Sequence, residues 1–229
     1  MRDATSWRWT ALVVVAYAVA MAYVESAVVV YLERALGADV GAVFPIRPIA
    51  DAGDLAAIEI GREAATIVMI ASVGVLAGRS RLERLAWVAV TFGAWDIGYY
   101  AWLYVFAGWP PSPATTDLLF LIPVPWAGPV LSPVLVSVVL VAVGLVASRE
   151  VRRGRTLHVG RRQWAAAIVG GFLIIVSYTL DAPALLAGGL PGPYPWPVFA
   201  VGMLLAVAAA VDVLRPDRAH RGAPDAHAG

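Results

Sequence analysis

The chain has 229 residues, of which 60% are hydrophobic and only 14% charged, and its mean hydropathy is +0.75. Soluble domains average about 45–50% apolar and about 25% charged residues, so this composition excludes an ordinary soluble domain and indicates an integral membrane protein. Cysteine is absent and all 17 basic residues are arginine. That excludes iron–sulfur clusters, thiolate zinc, disulfides and a Schiff-base lysine, while the net charge of +1 carries no nucleic-acid footprint.

A hydrocarbon core of about 30 Å takes about 20 helical residues at 1.5 Å each. Six segments meet that length, at 10–32, 56–78, 85–108, 128–148, 164–187 and 195–214. The expectation is an all-α, polytopic helix bundle with six transmembrane helices, residues 1–214 forming one transmembrane domain. The tail 215–229, rich in Ala, Gly, Pro, Asp and His, reads as disordered.

The first segment follows Arg2 and Arg8. Its start has the layout of a secretory leader with Ala20-Met21-Ala22 as a cleavage site, but the apolar run continues past Glu25 to Leu32, which favours a span. Sixteen residues separate Arg8 from Glu25, placing that acid about 22–24 Å along the helix. Pro45 and Pro48 break the following loop, and Asp51 and Asp54 read as caps of the second helix. There, Glu63 and Arg79 enclose fifteen uncharged residues, about 22 Å of helix and too short to cross alone, so Glu63 enters the hydrocarbon region. Arg62 stands beside it, three residues from Glu59, with which it can pair on one face.

The third segment carries Asp96, Tyr99, Tyr100 and Tyr104 on one stripe, with Asp96 about 16–18 Å from Arg84. Tyr104, Trp102 and Trp109 read as an interfacial aromatic belt, while Tyr99 and Tyr100 lie deeper. The third loop, Thr115-Thr116-Asp117 through Pro123-Val124-Pro125-Trp126, is too apolar for a solvated loop and too proline-broken for a span. A re-entrant or interface-lying segment fits it, forming a lid over the acids. In the fifth segment Gly170-Gly171 permits close helix packing, Ser177, Tyr178 and Asp181 share a face, and Pro183 reads as a kink. Asp181 lies about 25 Å from Arg162. Pro-x-Pro-Trp at 123–126 and again at 193–196 suggests a weak internal repeat opening the fourth and sixth helices. Asp212, beside Arg215, reads as an interface anchor.

Arginines cluster at the amino terminus, in the second and fourth loops and in the tail. Only Arg34 and Arg47 fall on the other side. This asymmetry predicts both termini in the cytoplasm of a cell inner (plasma) membrane. Glu25, Glu63 and Asp181 then share a level in the outer half, with Asp96 deeper.

An acid at a helix centre costs about 2.5–3.5 kcal/mol on insertion scales, so a set of four implies use. The ligand-binding candidates are Glu25, Glu59, Arg62, Glu63, Asp96, Tyr99, Tyr100, Tyr178 and Asp181, with Asp96 and Glu63 the candidate catalytic groups. A metal, if bound, would fall to Glu25, Glu63, Asp96 and Asp181, whose oxygens suit a hard divalent cation. His158, His220 and His227 lie in hydrophilic stretches, leaving no intramembrane imidazole for haem.

The reading put first is a protein that binds or translocates a cation, a proton or a cationic small molecule. The alternatives are an intramembrane enzyme acting on a lipid-like substrate by carboxyl or carboxylate–metal chemistry, and a non-catalytic subunit or assembly factor. Expected partners are the lipid bilayer and a second copy of the chain or a partner membrane subunit.

Overall fold

The computed structural model describes residues 2–35, 37, 39–41 and 54–215. Pro45, Pro48, Asp51, Arg47 and the tail beyond Arg215 lie outside the described residues. The chain is mostly helical. The helices are α1 Arg2–Ala35, α2 Asp54–Ala77, α3 Arg81–Ala107, α4 Leu131–Arg152, α5 Arg161–Thr179, a short α6 Ala182–Leu186 and α7 Trp196–Leu214. Five stretches are long and apolar enough to cross a membrane: Ser6–Ala35, Ala57–Ala77, Leu131–Arg152, Arg161–Leu186 and Trp196–Leu214.

Helix α3, with 27 residues, has the length but a weaker apolar character, because Asp96 and its tryptophans and tyrosines dilute it. It occupies the centre, packed by α1, α2 and α4. Most of its polar and aromatic groups are turned toward protein, with Trp87, Trp95, Asp96 and Tyr100 buried. Its start is set by Ser80, whose Oγ accepts the Glu83 N–H at 3.2 Å while the Glu83 carboxylate accepts the Arg79 N–H at 2.8 Å. This reciprocal arrangement satisfies donors that the helix cannot. At the other end Gly108, in the left-handed region at φ 66°, donates to the Tyr104 carbonyl.

Glycines set the helix spacing. A Cβ on Gly93 would stand 2.5 Å from the Ser137 carbonyl oxygen, and one on Gly144 2.5 Å from that of Ala86. Helices α3 and α4 therefore approach with their backbones nearly in contact. Gly170 and Gly202 bring α5 and α7 together in the same way, with Cβ-to-carbonyl distances of 2.7 and 2.8 Å. The result is two packed units, α1 to α4 and the α5–α7 pair, which meet mainly along α4 and α7 and through a strand lying on α5.

That strand corrects the expectation for the third loop. It is a two-stranded antiparallel hairpin, β1 Thr116–Phe120 and β2 Trp126–Pro129, paired from Thr116↔Pro129 to Phe120↔Trp126, with an irregularity between Leu118 and Phe120. Strand pairing supplies the backbone hydrogen bonds that an apolar segment packed on helices cannot take from water. The fold is mostly helical, consistent with an all-α bundle, and carries one small two-stranded sheet.

Two further readings change with it. Pro123-Val124-Pro125-Trp126 leads through the hairpin turn into β2, whereas Pro193-Tyr194-Pro195-Trp196 opens α7, so the two motifs are not structural equivalents. Pro183 does not kink a continuous helix: α5 ends at Thr179 and a separate short helix follows.

The arginine-rich end is closed by a buried ion pair. Arg152, at the end of α4, reaches Glu83 of α3 at 2.5 Å, with side-chain exposures of 6% and 1%. Its other N–H groups donate to Thr10 Oγ1 of α1 at 3.0 Å and to the Ala77 carbonyl of α2 at 3.1 Å. One guanidinium therefore ties four helices together. Asp212 is held within the other unit, accepting from the Gln163 amide at 2.7 Å.

Candidate functional site: an acid-roofed chamber between the two units

A cavity of about 510 Å3 lies between the α1–α4 unit and the α5–α7 pair, well within the range of small-molecule sites. Its two ends differ. At the hairpin end it is bordered by Glu25, Arg62, Glu63, Asp96, Tyr100 and Asp117. From there it continues toward the arginine-rich end past Val139, Leu140 and Val143 of α4, Gly171 of α5 and Ala206 and Ala210 of α7. Val136 to Val143 spans about 10 Å of helix, so the apolar part runs about two turns along α4. Gly171 matters here because a Cβ at that position would meet nothing within 4 Å.

The polar end is assembled from five elements, α1, α2, α3, α4 and β1. Arg62 and Thr66 are four residues apart on α2 and reach the same carboxylate. The Arg62 guanidinium pairs with Glu25 of α1, and the Thr66 hydroxyl donates to Glu25 Oε1 at 2.7 Å. The Arg62 Nε–H also donates to Glu59 at 2.9 Å. Arg62 therefore bridges two acids, one of them on another helix. Glu63, one position on, accepts the Leu121 N–H at 2.9 Å, which fastens the hairpin across the top of α2. Asp96 of α3 accepts the Ser137 hydroxyl of α4 at 2.8 Å. Asp117 of β1 accepts the Tyr100 hydroxyl at 3.0 Å and the Leu118 N–H at 2.8 Å. Burial pushes the Asp117 carboxyl up to about 7, against the pull of the Tyr100 hydrogen bond.

Below this roof stands an aromatic layer. Phe120 contacts Trp95 and Trp126, with ring centroids at 6.3 and 5.8 Å. Trp126 in turn stacks on Tyr178 at 6.1 Å with an 18° interplanar angle.

The structure brings Glu25, Glu59, Arg62 and Glu63 into one cluster, and sets Asp96, Tyr99, Tyr100 and Tyr178 around the same cavity. Asp181 is elsewhere. It precedes α6, and its carboxylate accepts the Gly192 N–H at 2.9 Å, bracing the loop into α7. Equal depth along a helix says nothing about which way a side chain faces. Among the described residues no three His, Cys, Asp or Glu side chains gather closely enough to hold a metal ion. Tyr104 is exposed, but Trp109 is buried against Val30, Tyr100, Leu103 and Val130 rather than standing in a belt.

Sequence reasoning missed Thr66, Ser137 and Asp117. The first two are ordinary hydroxyl residues in apolar helices, and only the packing reveals their partners. Asp117 did carry a signal: it is a single acid in an otherwise apolar loop.

Comparison with protein-family models, with curated proteins and with solved structures finds no match to this chain. The geometry of the chamber carries the functional argument.

Proposed function

We propose that this is a six-span integral membrane protein, its termini in the cytoplasm, that takes a lipid-like molecule from the bilayer into the chamber. The apolar chain lies along α4, α5 and α7, and the polar end meets Glu63, Asp96 and Asp117, which exchange protons or hydrogen bonds with it. The observation that carries this reading is the continuity of one cavity from a cluster of carboxylates into an apolar stretch lined by α4, α5 and α7. The sparse packing between the α5–α7 pair and the other four helices gives a lateral route from the membrane. The Arg152–Glu83 closure at the other end offers no matching exit for an ion. On this reading the arginine-rich loops face the cytoplasm and the hairpin covers the outer side of the chamber.

The test is lipid analysis by mass spectrometry of the protein purified in native-membrane discs, beside Gly171→Leu. The leucine projects into open space, so it fills the channel without a backbone clash. Wild type should retain a lipid-like species enriched over the surrounding bilayer, and Gly171→Leu should lose it. Equal lipid profiles in both proteins would remove the proposal.

A hard-cation site is the second reading, favoured by the excess of carboxylates over the single Arg62 at the roof. Elemental analysis of wild type beside Glu63→Gln tests it: a near-stoichiometric metal lost in the variant supports it, and no metal in either protein rejects it.

A further inference from the structure

The charges lining the chamber do not balance. Among the described residues Arg62 is the one basic side chain on the cavity, and it is already committed to Glu25 and Glu59. Glu63, Asp96 and Asp117 border the same cavity, and among the described residues none of them forms an ion pair. Each is held only by neutral donors: the Leu121 N–H, the Ser137 hydroxyl, and the Tyr100 hydroxyl with the Leu118 N–H. An ionised carboxylate has about four acceptor positions, so all three keep unused capacity.

Asp96 shows where that capacity points. It is only 8% exposed, and while its Oδ2 accepts from Ser137, its Oδ1 accepts nothing among the described residues. Oδ1 does not belong to the side-chain atoms sealed inside the protein without a hydrogen bond, so its open surface lies on the cavity that Asp96 lines. Leaving a buried carboxylate oxygen open is costly, and a donor brought by a ligand removes that cost.

Resting on the proposed lipid-like ligand, we infer that the chamber takes an amphiphile whose head is a protonated primary amine. The ammonium carries three N–H donors and the counter-charge that the roof lacks. A phosphate or carboxylate head would add like charge, and a hydroxyl head would bring one donor and no charge. Trp95, Tyr99, Tyr100 and Phe120 line the cavity together with the acids, and aromatic rings attract cations. The tail lies along α4, which borders the cavity from Pro133 to Val143, about 15 Å of helix.

The test is equilibrium binding of dodecylamine at neutral pH to the full chain in lipid nanodiscs, with empty discs subtracted. Dodecanol keeps the tail without the charge, and butylamine keeps the head without the tail. Asp96→Asn and Glu63→Gln each remove one negative charge and keep an oxygen to accept from Ser137 or Leu121. Dodecanol binding, which neither variant should change, shows that the chamber is intact.

The expected result is saturable dodecylamine binding at least about 10-fold tighter than either control, weakened about 10-fold or more in each variant, as for loss of a charged hydrogen bond. Dodecylamine that binds no tighter than dodecanol, as protonated and neutral carboxyls would give, overturns the inference. Equal binding by wild type and both variants overturns it too. Butylamine that binds as tightly as dodecylamine assigns the site to a free amine and overturns the amphiphile. Where a variant fails to fold, the wild-type preference for dodecylamine over dodecanol decides. If the amine fails while the wild type still retains a lipid-like species that Gly171→Leu loses, the head-group assignment falls and the chamber's role stands. If that species is absent too, both readings fall.

Discussion

Replacing Arg152 by Met tests whether the arginine-rich end is locked by a charge pair or merely by apolar packing. The substitution keeps a long side chain but leaves the Glu83 carboxylate, 1% exposed, without its counter-charge. Removing one partner of a buried pair costs about 3–5 kcal/mol. Glu83 keeps the Arg79 N–H at 2.8 Å and the Trp87 indole N–H at 3.3 Å, which moves the estimate to the lower end. The lost donations to Thr10 and Ala77 add about 1 kcal/mol each. The sum is about 5 kcal/mol. At about 2–4 °C per kcal/mol for a chain of this size, the midpoint should fall by about 10–20 °C. Thermal unfolding in detergent, followed by tryptophan fluorescence, reads it directly. The pair Glu83→Gln with Arg152→Met removes both charges and should recover more than half of the loss. A fall of under about 3 °C for Arg152→Met, or a double variant no more stable than the single, would refute the reasoning.

Three other outcomes follow from the chamber. Thr66→Val is nearly isosteric and deletes the hydroxyl donor to Glu25, so it should lower stability by about 1–2 kcal/mol in the same assay, and no change would mean that Arg62 alone satisfies that carboxylate. Asp117 holds its proton more tightly folded than unfolded, its carboxyl standing at about 7 against 3.8. Its favourable contribution is complete below about pH 4 and is lost as pH rises to about 7, at up to about 1.4 kcal/mol per pH unit, because the unfolded chain binds fewer protons in that window. Asp117→Asn should flatten the fall, and identical slopes in the two proteins would count against it. Ser137→Ala deletes the hydroxyl that donates to the buried Asp96 carboxyl at 2.8 Å, so it should lower stability by about 1–2 kcal/mol in the same assay. No change would mean that Asp96 does not depend on that hydrogen bond.

The helices were legible because hydropathy over some twenty residues is a strong, local signal, although the fifth run, read to 187, ends as a helix at Thr179 before the short α6. The hairpin was not. Thr116–Phe120 and Trp126–Pro129 are too short and too proline-flanked to alternate clearly, and their pairing is imposed by the helices beneath them. Most of the polar cluster was visible as acids in apolar segments, since Glu25, Glu63 and Asp96 cannot face lipid cheaply. Asp181 marks where that logic stops: depth is a one-dimensional coordinate, and the azimuth of a helix is decided by packing. The Arg152–Glu83 pair was hidden for a related reason, because arginines near a membrane surface read first as topology signals.

The position of Arg152 also bears on how the chain assembles. The guanidinium that joins α1, α2 and α3 sits on the last turn of α4, so this closure forms only once the fourth helix has arrived. Helices α5 and α7, cinched by Gly170 and Gly202, then have a finished surface to dock against. The chamber is the seam left by that final docking, which makes it the last part of the molecule to form during synthesis and the first to part under stress. On the proposed function the lipid-like molecule acts as mortar in that seam, and protein made without it should shed α5 and α7 to proteases while the first four helices stay whole.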